Sequence, residues 1–300
     1  MKNLHLFDKE IDFESVKNSL ELPWVSLVED INKVFYMYTY KPNPSVYYKI
    51  EDNTLYIRGT KQEGYSERLL FADAALSKNG WFNASNKTEI TKAVIEELIS
   101  PTSCVRFFDG MSGMTTIENI ENLKMDNATD LSAMFQNCKV LTSIGDISNW
   151  NVGNVTSMRC MFSECNALTS VGDLSNWNVA NVTDMAAMFN SNDPSKPLIL
   201  TSIGDISRWD VSNVTDMHYM FRGCTSLDKL NLSSWNTSKV TTMYEAFSNF
   251  NAWNKYTDFS IPKINIPPIP KDCNVDHAFS YDYSLTTIES SGKISKSLNF

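Results

Sequence analysis

The stretch LTSIGDISNWNVGNVTSMRCMF occupies residues 141–162 and recurs almost unchanged twice further along the chain. The second copy, LTSVGDLSNWNVANVTDMAAMF, spans residues 168–189, and the third, LTSIGDISRWDVSNVTDMHYMF, spans residues 200–221. A phenylalanine ends each copy, and the same mark returns from Phe108 to Phe279 at intervals of 26 to 32 residues. Self-similarity at a period of this length is typical of stacked repeats, so the repeat decides the predicted architecture.

The shortest copy, residues 227–247, shows what one repeat contains. Leu227, Leu230 and Leu232 form an LxxLxL pattern, which predicts a short strand whose alternate side chains face inward. The apolar residues that follow are three or four apart and predict a helical turn packed on that strand. The longer copies carry an extra glycine inside the strand, where its backbone freedom suits a bulge: Gly145, Gly172 and Gly204.

The end of each copy has the form NVTxMxxMFxxC, as in NVTSMRCMFSEC at residues 154–165 and NVTDMHYMFRGC at residues 213–224. This phrase closely resembles the BspA-like leucine-rich repeats of bacterial surface proteins, also called mycoplasma lipoprotein-type repeats. The resemblance covers residues 105–290. It implies a right-handed solenoid used for adhesion or protein binding, and its motif contains no catalytic residue to carry over.

The predicted fold is therefore an α/β leucine-rich-repeat solenoid of about six to seven repeats of 26–32 residues, preceded by a small α+β domain. We place the N-terminal attachment domain at residues 1–101, the solenoid at 102–290, and a C-terminal cap or tail at 291–300. Within the first domain, two strand-rich passages at residues 24–40 and 46–58 predict β-hairpins. Residues 88–99 predict an amphipathic helix that covers the first end of the solenoid.

Composition restricts the class of partner. The net charge of −9 argues against nucleic acid or an anionic membrane, because either would require a basic patch. No apolar run is long enough to span a membrane, and the N-terminus lacks the pattern of a signal peptide. We therefore expect synthesis in the cytoplasm, no nucleic-acid partner and no membrane insertion.

A second resemblance concerns residues 13–38, which include PWVSLVEDINKVFY at residues 23–36. This segment is similar to short N-terminal segments of structural and appendage proteins from phages of gut Bacteroidetes. The resemblance implies a virion component, such as a head or tail decoration, a fibre or a host-surface adhesin, and release by lysis would then replace secretion. The pattern equally suits any small hairpin. The alternative is a bacterial BspA-like protein that acts in adhesion or protein interaction at the cell surface.

Two residue types recur at a fixed phase of the repeat. The cysteines predict a row of buried thiols rather than a metal site, because their spacing lacks paired ligands: Cys138, Cys165 and Cys224. The tryptophans predict a core row rather than a sugar platform: Trp150, Trp177, Trp209 and Trp235. The Asn of each Asn-Val-Thr phrase fits a helix N-cap, and the stacked acids predict solvation rather than calcium: Asp146, Asp173 and Asp205.

The sequence predicts no enzyme, because it contains no GxSxG, HExxH or phosphate-cradling glycine loop, and we assign no cofactor and no metal. Specific recognition is expected where the repeats differ, which predicts these partner-binding residues: Arg159, Asp193, Lys196, Arg208, Asp210, His218 and Tyr244. The solenoid partner would be a host-surface protein or glycan. Attachment to other virion proteins in a larger assembly is expected through the aromatic residues of the first domain: Trp24, Tyr36, Tyr38, Tyr40, Tyr47 and Tyr48.

Overall fold

A computed structural model describes residues 4–6, 9–11, 45–69, 86–227, 230–248, 264–265 and 267–278. The chain divides into two compact units, Met1–Lys41 and Pro42–Phe300. In the first unit, strands β1 (Leu4–Leu6) and β2 (Lys9–Ile11) pair antiparallel. The predicted hairpin at 24–40, four of the predicted attachment residues (Trp24, Tyr36, Tyr38 and Tyr40) and the segment 291–300 lie outside the described residues. The predicted domain boundaries at 101 and 290 stay predictions.

The second unit begins with the hairpin predicted at residues 46–58, which the structure confirms. Strand β3 (Ser45–Glu51) pairs antiparallel with β4 (Thr54–Arg58), and the turn between them places Asp52 and Asn53 at positive φ. On its other edge β3 pairs antiparallel with β5 (Ser66–Leu69). Leu55 and Ile57 of β4 are fully buried, whereas the other three residues of the strand are partly exposed, which is the alternation of a sheet with one covered face.

The predicted helix at residues 88–99 is wrong. A short 3-10 turn at Lys87–Glu89 leads into strand β6 (Lys92–Ile95), which pairs parallel with β4. Burial alternates along β6, so its buried residues recur every two positions, as in a strand, and not every three or four positions, as in a helix. Strand β7 (Thr116–Glu118) pairs parallel with β6 and completes a mixed five-stranded sheet of order β5-β3-β4-β6-β7.

The fold class predicted for the repeats is also wrong. The residues that the structure describes contain no α-helix, and their largest sheet is this mixed one of five strands, so the chain is not an α/β solenoid with an α+β domain in front. The strands expected near Leu141, Leu168 and Leu200 are absent from the described residues. Near Leu227 a two-residue strand, β8 (Leu230–Asn231), pairs parallel with β9 (Ile264–Asn265).

Successive repeats are nevertheless stacked in register. Single parallel bridges join each repeat to the next through one column of residues: Asp130, Ser157, Asp184, Asp216, Thr242 and Asn274. The stack continues the five-stranded sheet, because Thr115 N donates to Thr91 O and Thr142 N donates to Thr115 O. Hairpin β3–β4 and strand β5 therefore occupy the position at the start of the stack that the helix was predicted to hold.

The backbone after each bridge explains why a helical turn does not form. Cys160 N donates to Ala186 O of the next repeat (2.9 Å), and Phe162 N donates to Met188 O (2.9 Å), so these groups are unavailable for bonds four residues back. Cys160 itself adopts the left-handed conformation, with φ 57°. The residues at the same phase of the other repeats do so too: Ala133, Ala187, Tyr219, Glu245 and His277. The apolar residues are three or four apart because successive turns of the backbone direct them into one core, and not because they form a helix.

Stacking in register lines up identical side chains in the core. Six phenylalanines from Phe108 to Phe247 form a ladder with ring centroids 5.4–5.8 Å apart. The four tryptophans form a second ladder at 6.3–6.5 Å, and all four are at most 6% exposed, which confirms their prediction as core residues. The row of buried thiols is confirmed too. Each thiol contacts a carbonyl of the preceding repeat, as Cys165 does with Phe135 O at 3.1 Å, and burial raises the pKa of Cys165 to about 12.

Candidate partner-binding face

The residues that differ between repeats lie beside the bridge column. Arg159, His218 and Tyr244 each follow a bridge residue by two positions, and their carbonyls accept hydrogen bonds from the preceding repeat. Residues at one phase of a register-stacked repeat lie on one face, so these three predicted binding residues are brought together. We call the surface that they form with their neighbours the variable face: Arg159, Asp184, Asp216, His218, Tyr219, Arg222, Tyr244, Glu245, Asp276 and His277.

At the centre of the variable face, Arg159 reaches across two repeats. Its Nη1 lies 3.5 Å from Asp184 Oδ2 and 3.6 Å from Asp216 Oδ2, and its Nη2 lies 3.3 Å from His218 Nε2. On the other side of the ring, His218 Nδ1 lies 2.6 Å from Asp216 Oδ1. The Arg159 side chain remains 44% exposed, so the ion pairs orient its guanidinium while leaving it accessible.

The contacts of His218 assign the tautomer of its neutral ring, and the assignment is testable. Arginine has only N–H donors, so Nε2 of His218 must accept from Arg159 and Nδ1 must carry the proton donated to Asp216. Of the two neutral tautomers, we expect Nδ1–H to predominate over Nε2–H in long-range ¹H–¹⁵N correlation NMR of the imidazole. Arg159→Met removes the donor and should shift the tautomer ratio towards Nε2–H. An Nε2–H ring in the unsubstituted protein would contradict the arrangement.

An aromatic row extends from His218 towards the end of the stack. The His218 and Tyr219 ring centroids are 5.1 Å apart, those of Tyr219 and Tyr244 are 5.5 Å apart, and those of Tyr244 and His277 are 6.0 Å apart. Each pair meets edge to face, the arrangement that aromatic quadrupoles favour. A hydrogen bond to Glu245 raises the pKa of Tyr244, so its hydroxyl remains protonated at neutral pH.

Arg222 connects this row to the loop at residues 190–197, which lengthens the repeat between Phe189 and Phe221. Its guanidinium carbon lies 5.2 Å from the centroid of the Tyr219 ring, and its Nε lies 3.0 Å from Glu245 Oε2. Its Nη1 donates to Asn192 Oδ1 at 2.8 Å. The predicted binding residues Asp193 and Lys196 belong to the same loop, so the structure brings this loop next to the variable face.

The loop is shaped by its own hydrogen bonds. Asp193 Oδ1 accepts from Ser195 N (2.9 Å) and Ser195 Oγ (2.6 Å), and these bonds lower the pKa of Asp193. Lys196 N donates to Asp193 O, while its side chain remains 70% exposed. Asn166 Nδ2 and Ser191 Oγ both donate to Lys196 O, which ties the loop to the preceding repeat.

Two other predicted binding residues belong to a different phase of the repeat. Arg208 and Asp210 are exposed on either side of the buried Trp209. Asp210 Oδ1 accepts from Ser212 N at 3.0 Å, a bond that stays within its own turn. In the described part of the chain, no hydrogen bond or ion pair joins Arg208 or Asp210 to the variable face.

The two attachment residues that the structure describes lie on β3. Tyr47 is half-buried and pairs with Arg58 across the hairpin. Tyr48 packs partly against the core. The neighbouring Tyr56 and Tyr65 hold Lys49 against their rings at 4.8 and 5.5 Å, so part of the aromatic content of this region is used in contacts within the chain.

The stacked acids (Asp146, Asp173 and Asp205) and the Asn-Val-Thr phrases form hydrogen bonds to the backbone. Asp146 Oδ1 accepts from Ser148 N at 2.9 Å, and bonds from Ser148 lower the pKa of Asp146. Asn181 Nδ2 donates to Gly153 O of the preceding repeat at 2.7 Å, so the prediction that it caps a helix is wrong. No group of three potential metal ligands is assembled within the described ranges.

Sequence reasoning missed seven residues of the variable face as binding residues: Asp184, Asp216, Tyr219, Arg222, Glu245, Asp276 and His277. Their positions are occupied by different residue types in other copies, which was the available signal. Asp184 and Asp216, for example, align with Ser157 and Thr242. The ion pairs between repeats could not be predicted, because the helical turn predicted for each repeat would place these side chains on different sides of the turn.

A stack of short repeats joined in register defines a class of repeat protein. A family model described as "Mycoplasma protein of unknown function, DUF285" matches residues 102–196 and 201–265, which make up more than half of the chain. The chain belongs to this family, which confirms the resemblance to mycoplasma lipoprotein-type repeats. Searches of the curated proteins and of the solved structures found no match, and the resemblance to phage proteins has no support. None of the helices among the described residues is long and apolar enough to cross a membrane.

Proposed function

We propose that this chain is a non-enzymatic binding protein that recognises a partner through its variable face. The observation that carries the proposal is the gathering of repeat-specific side chains on one face of a stack in which three copies, beginning at Leu141, Leu168 and Leu200, are otherwise closely similar. Arg159, Tyr244 and their neighbours are partly exposed and held in place by ion pairs and ring contacts. Pre-oriented Arg and Tyr side chains are typical anchors of protein interfaces, because little conformational entropy is lost on binding.

The geometry around His218 favours binding over catalysis. Its Nδ1 is directed at Asp216 and its Nε2 at Arg159, so neither nitrogen is positioned to take a proton from a nucleophile. Burial raises the pKa of the core thiols Cys138, Cys165 and Cys224, which opposes formation of a reactive thiolate.

As the assembly in which binding takes place, we propose a phage virion, with a bacterial cell surface as the alternative, and attachment through the N-terminal aromatic residues. Deleting Met1–Lys41 tests attachment, because it removes the first compact unit and leaves β3, β4, β5 and β6 at the start of the stack in place. If the deleted protein keeps its unfolding temperature and still incorporates normally, attachment by the first unit is excluded.

Site-specific photo-crosslinking tests the binding role. A photoreactive amino acid replaces Tyr244 on the variable face or Thr169, an exposed residue of the invariant LTS phrase, in the full chain within its producing cells. We expect a discrete adduct from position 244 that an excess of unlabelled protein suppresses, and no such adduct from position 169. Equal adducts from both positions, or an adduct from position 169 alone, would refute the assignment of this face.

A further inference from the structure

We infer that the variable face binds a basic segment of a partner protein, whose Lys or Arg side chains pack on the rings of Tyr244 and its neighbours. The inference rests on the proposed function and adds the chemistry of the partner. It follows from three features of the face: accessible aromatic rings, a guanidinium already bound to one of them, and an excess of carboxylates.

The rings form a row on which extended side chains can lie. Tyr219 and Tyr244 are half-buried and His277 is exposed, with centroid distances of 5.5 and 6.0 Å between successive rings. The protonated hydroxyl of Tyr244 keeps its ring neutral at physiological pH. The face of a neutral tyrosine ring carries negative quadrupole charge, which attracts ammonium and guanidinium groups.

Arg222 shows that the row accepts a cation. Its guanidinium carbon lies 5.2 Å from the Tyr219 centroid while Glu245 contacts its Nε at 3.0 Å. A ring face with an adjacent carboxylate therefore already forms a cation site within the chain. Tyr244 lies in the next repeat, two positions after the bridge residue Thr242. The exposed Asp276 follows the bridge residue Asn274 by the same two positions, so register stacking places Asp276 beside Tyr244.

Charge selects a cationic partner over an anionic one. Arg159 is paired with Asp184 and Asp216, and Arg222 is paired with Glu245, so the positive charges of the face are neutralised locally. Asp276 adds a further exposed carboxylate, and the whole chain carries a net charge of −9. An acidic peptide or a nucleic acid would be repelled, whereas a basic segment would be attracted and oriented.

Fluorescence anisotropy with the full-length protein tests the inference. The probes are a labelled peptide of alternating glycine, arginine and lysine, a peptide of equal length with glutamate in place of the basic residues, and a labelled neutral oligosaccharide. We expect only the basic peptide to bind, with an affinity that falls as salt is added. Tyr244→Leu and Asp276→Asn should each weaken it about threefold to fivefold, the range for an exposed cation–ring or ion contact.

Matched controls separate this site from general attraction to an acidic protein. Tyr65→Leu changes a half-buried tyrosine outside the repeats, and Asp146→Asn changes an exposed acid at another repeat phase. Both should leave the affinity for the basic peptide unchanged. Equal weakening by the controls, no binding of the basic peptide, or Tyr244-dependent binding of the oligosaccharide or acidic peptide overturns the inference. If the crosslink from position 244 forms in these cases, the binding role stands and only the partner chemistry falls.

Discussion

Replacing Trp177 by alanine is expected to lower the free energy of unfolding by about 3 to 5 kcal/mol, the range for deleting a large buried aromatic side chain. Trp177 is 3% exposed and stacks between Trp150 and Trp209 at 6.3 and 6.5 Å. Its Nε1 donates to Ile147 O of the preceding repeat at 3.1 Å. The substitution therefore removes two ring contacts and a hydrogen bond between repeats, and leaves a cavity in the core.

Urea denaturation followed by circular dichroism measures this change. Asn176→Ala is the control, because Asn176 precedes Trp177 in the chain but is exposed, and it should alter stability by no more than about 0.5 kcal/mol. A loss well under 1 kcal/mol at Trp177 would show that the tryptophan ladder contributes little to the stack.

Gly204→Ala is expected to cost about 2 to 4 kcal/mol, as the sum of backbone strain and a steric clash. Gly204 has φ +80°, a conformation in which a side chain collides with its own backbone. An added Cβ would also overlap Asp173 Oδ1 and lie 3.1 Å from Leu174 N. Asp173 and Leu174 both belong to the preceding repeat, so the clash acts directly on the spacing between repeats.

Gly172 provides a matched comparison for this prediction. It occupies the same phase with φ +81°, but the nearest atom to an added Cβ there is Asp146 Oδ1 at 3.7 Å. Gly172→Ala should therefore cost only the strain, about 1 to 2 kcal/mol. Thermal and urea unfolding of the two variants compare them. Equal losses would mean that Asp173 rotates away and that the clash contributes nothing.

The sequence was sufficient to predict the stacking, the core rows and the hairpin at residues 46–58. These features depend on side-chain identity at fixed intervals, which is visible in one sequence. The secondary structure of the repeat was not predictable in this way. Residues such as Cys160, Tyr219 and Glu245 adopt positive φ although they are not glycine, and their backbone bonds connect different repeats. Neither the strain nor the distant partner leaves a pattern in the local sequence.

The candidate site was predicted in part for a related reason. Variation between copies identified Arg159, His218 and Tyr244, and register stacking then placed them on one face. The same criterion also selected Arg208 and Asp210, because it does not distinguish between phases of the repeat. The role of Arg222 depends on its reach to Asn192 in the loop, which only the structure specifies.

The spacing of the hydrogen bonds between repeats has a consequence for how the chain folds as it is made. Phe108 N pairs with Met134 O, and the same bond links Phe135 to Met161 and Phe162 to Met188. Each of these hydrogen bonds thus requires only that one further repeat has been synthesised, which a ribosome achieves in roughly one to five seconds at ordinary elongation rates. Strands β3 and β4 precede all the repeats in the chain, so they supply the sheet edge to which β6, and then the repeats, add. We therefore expect the repeats to add to the stack in the order of their synthesis. At each stage the most recently added repeat then exposes backbone groups that the next repeat will pair with.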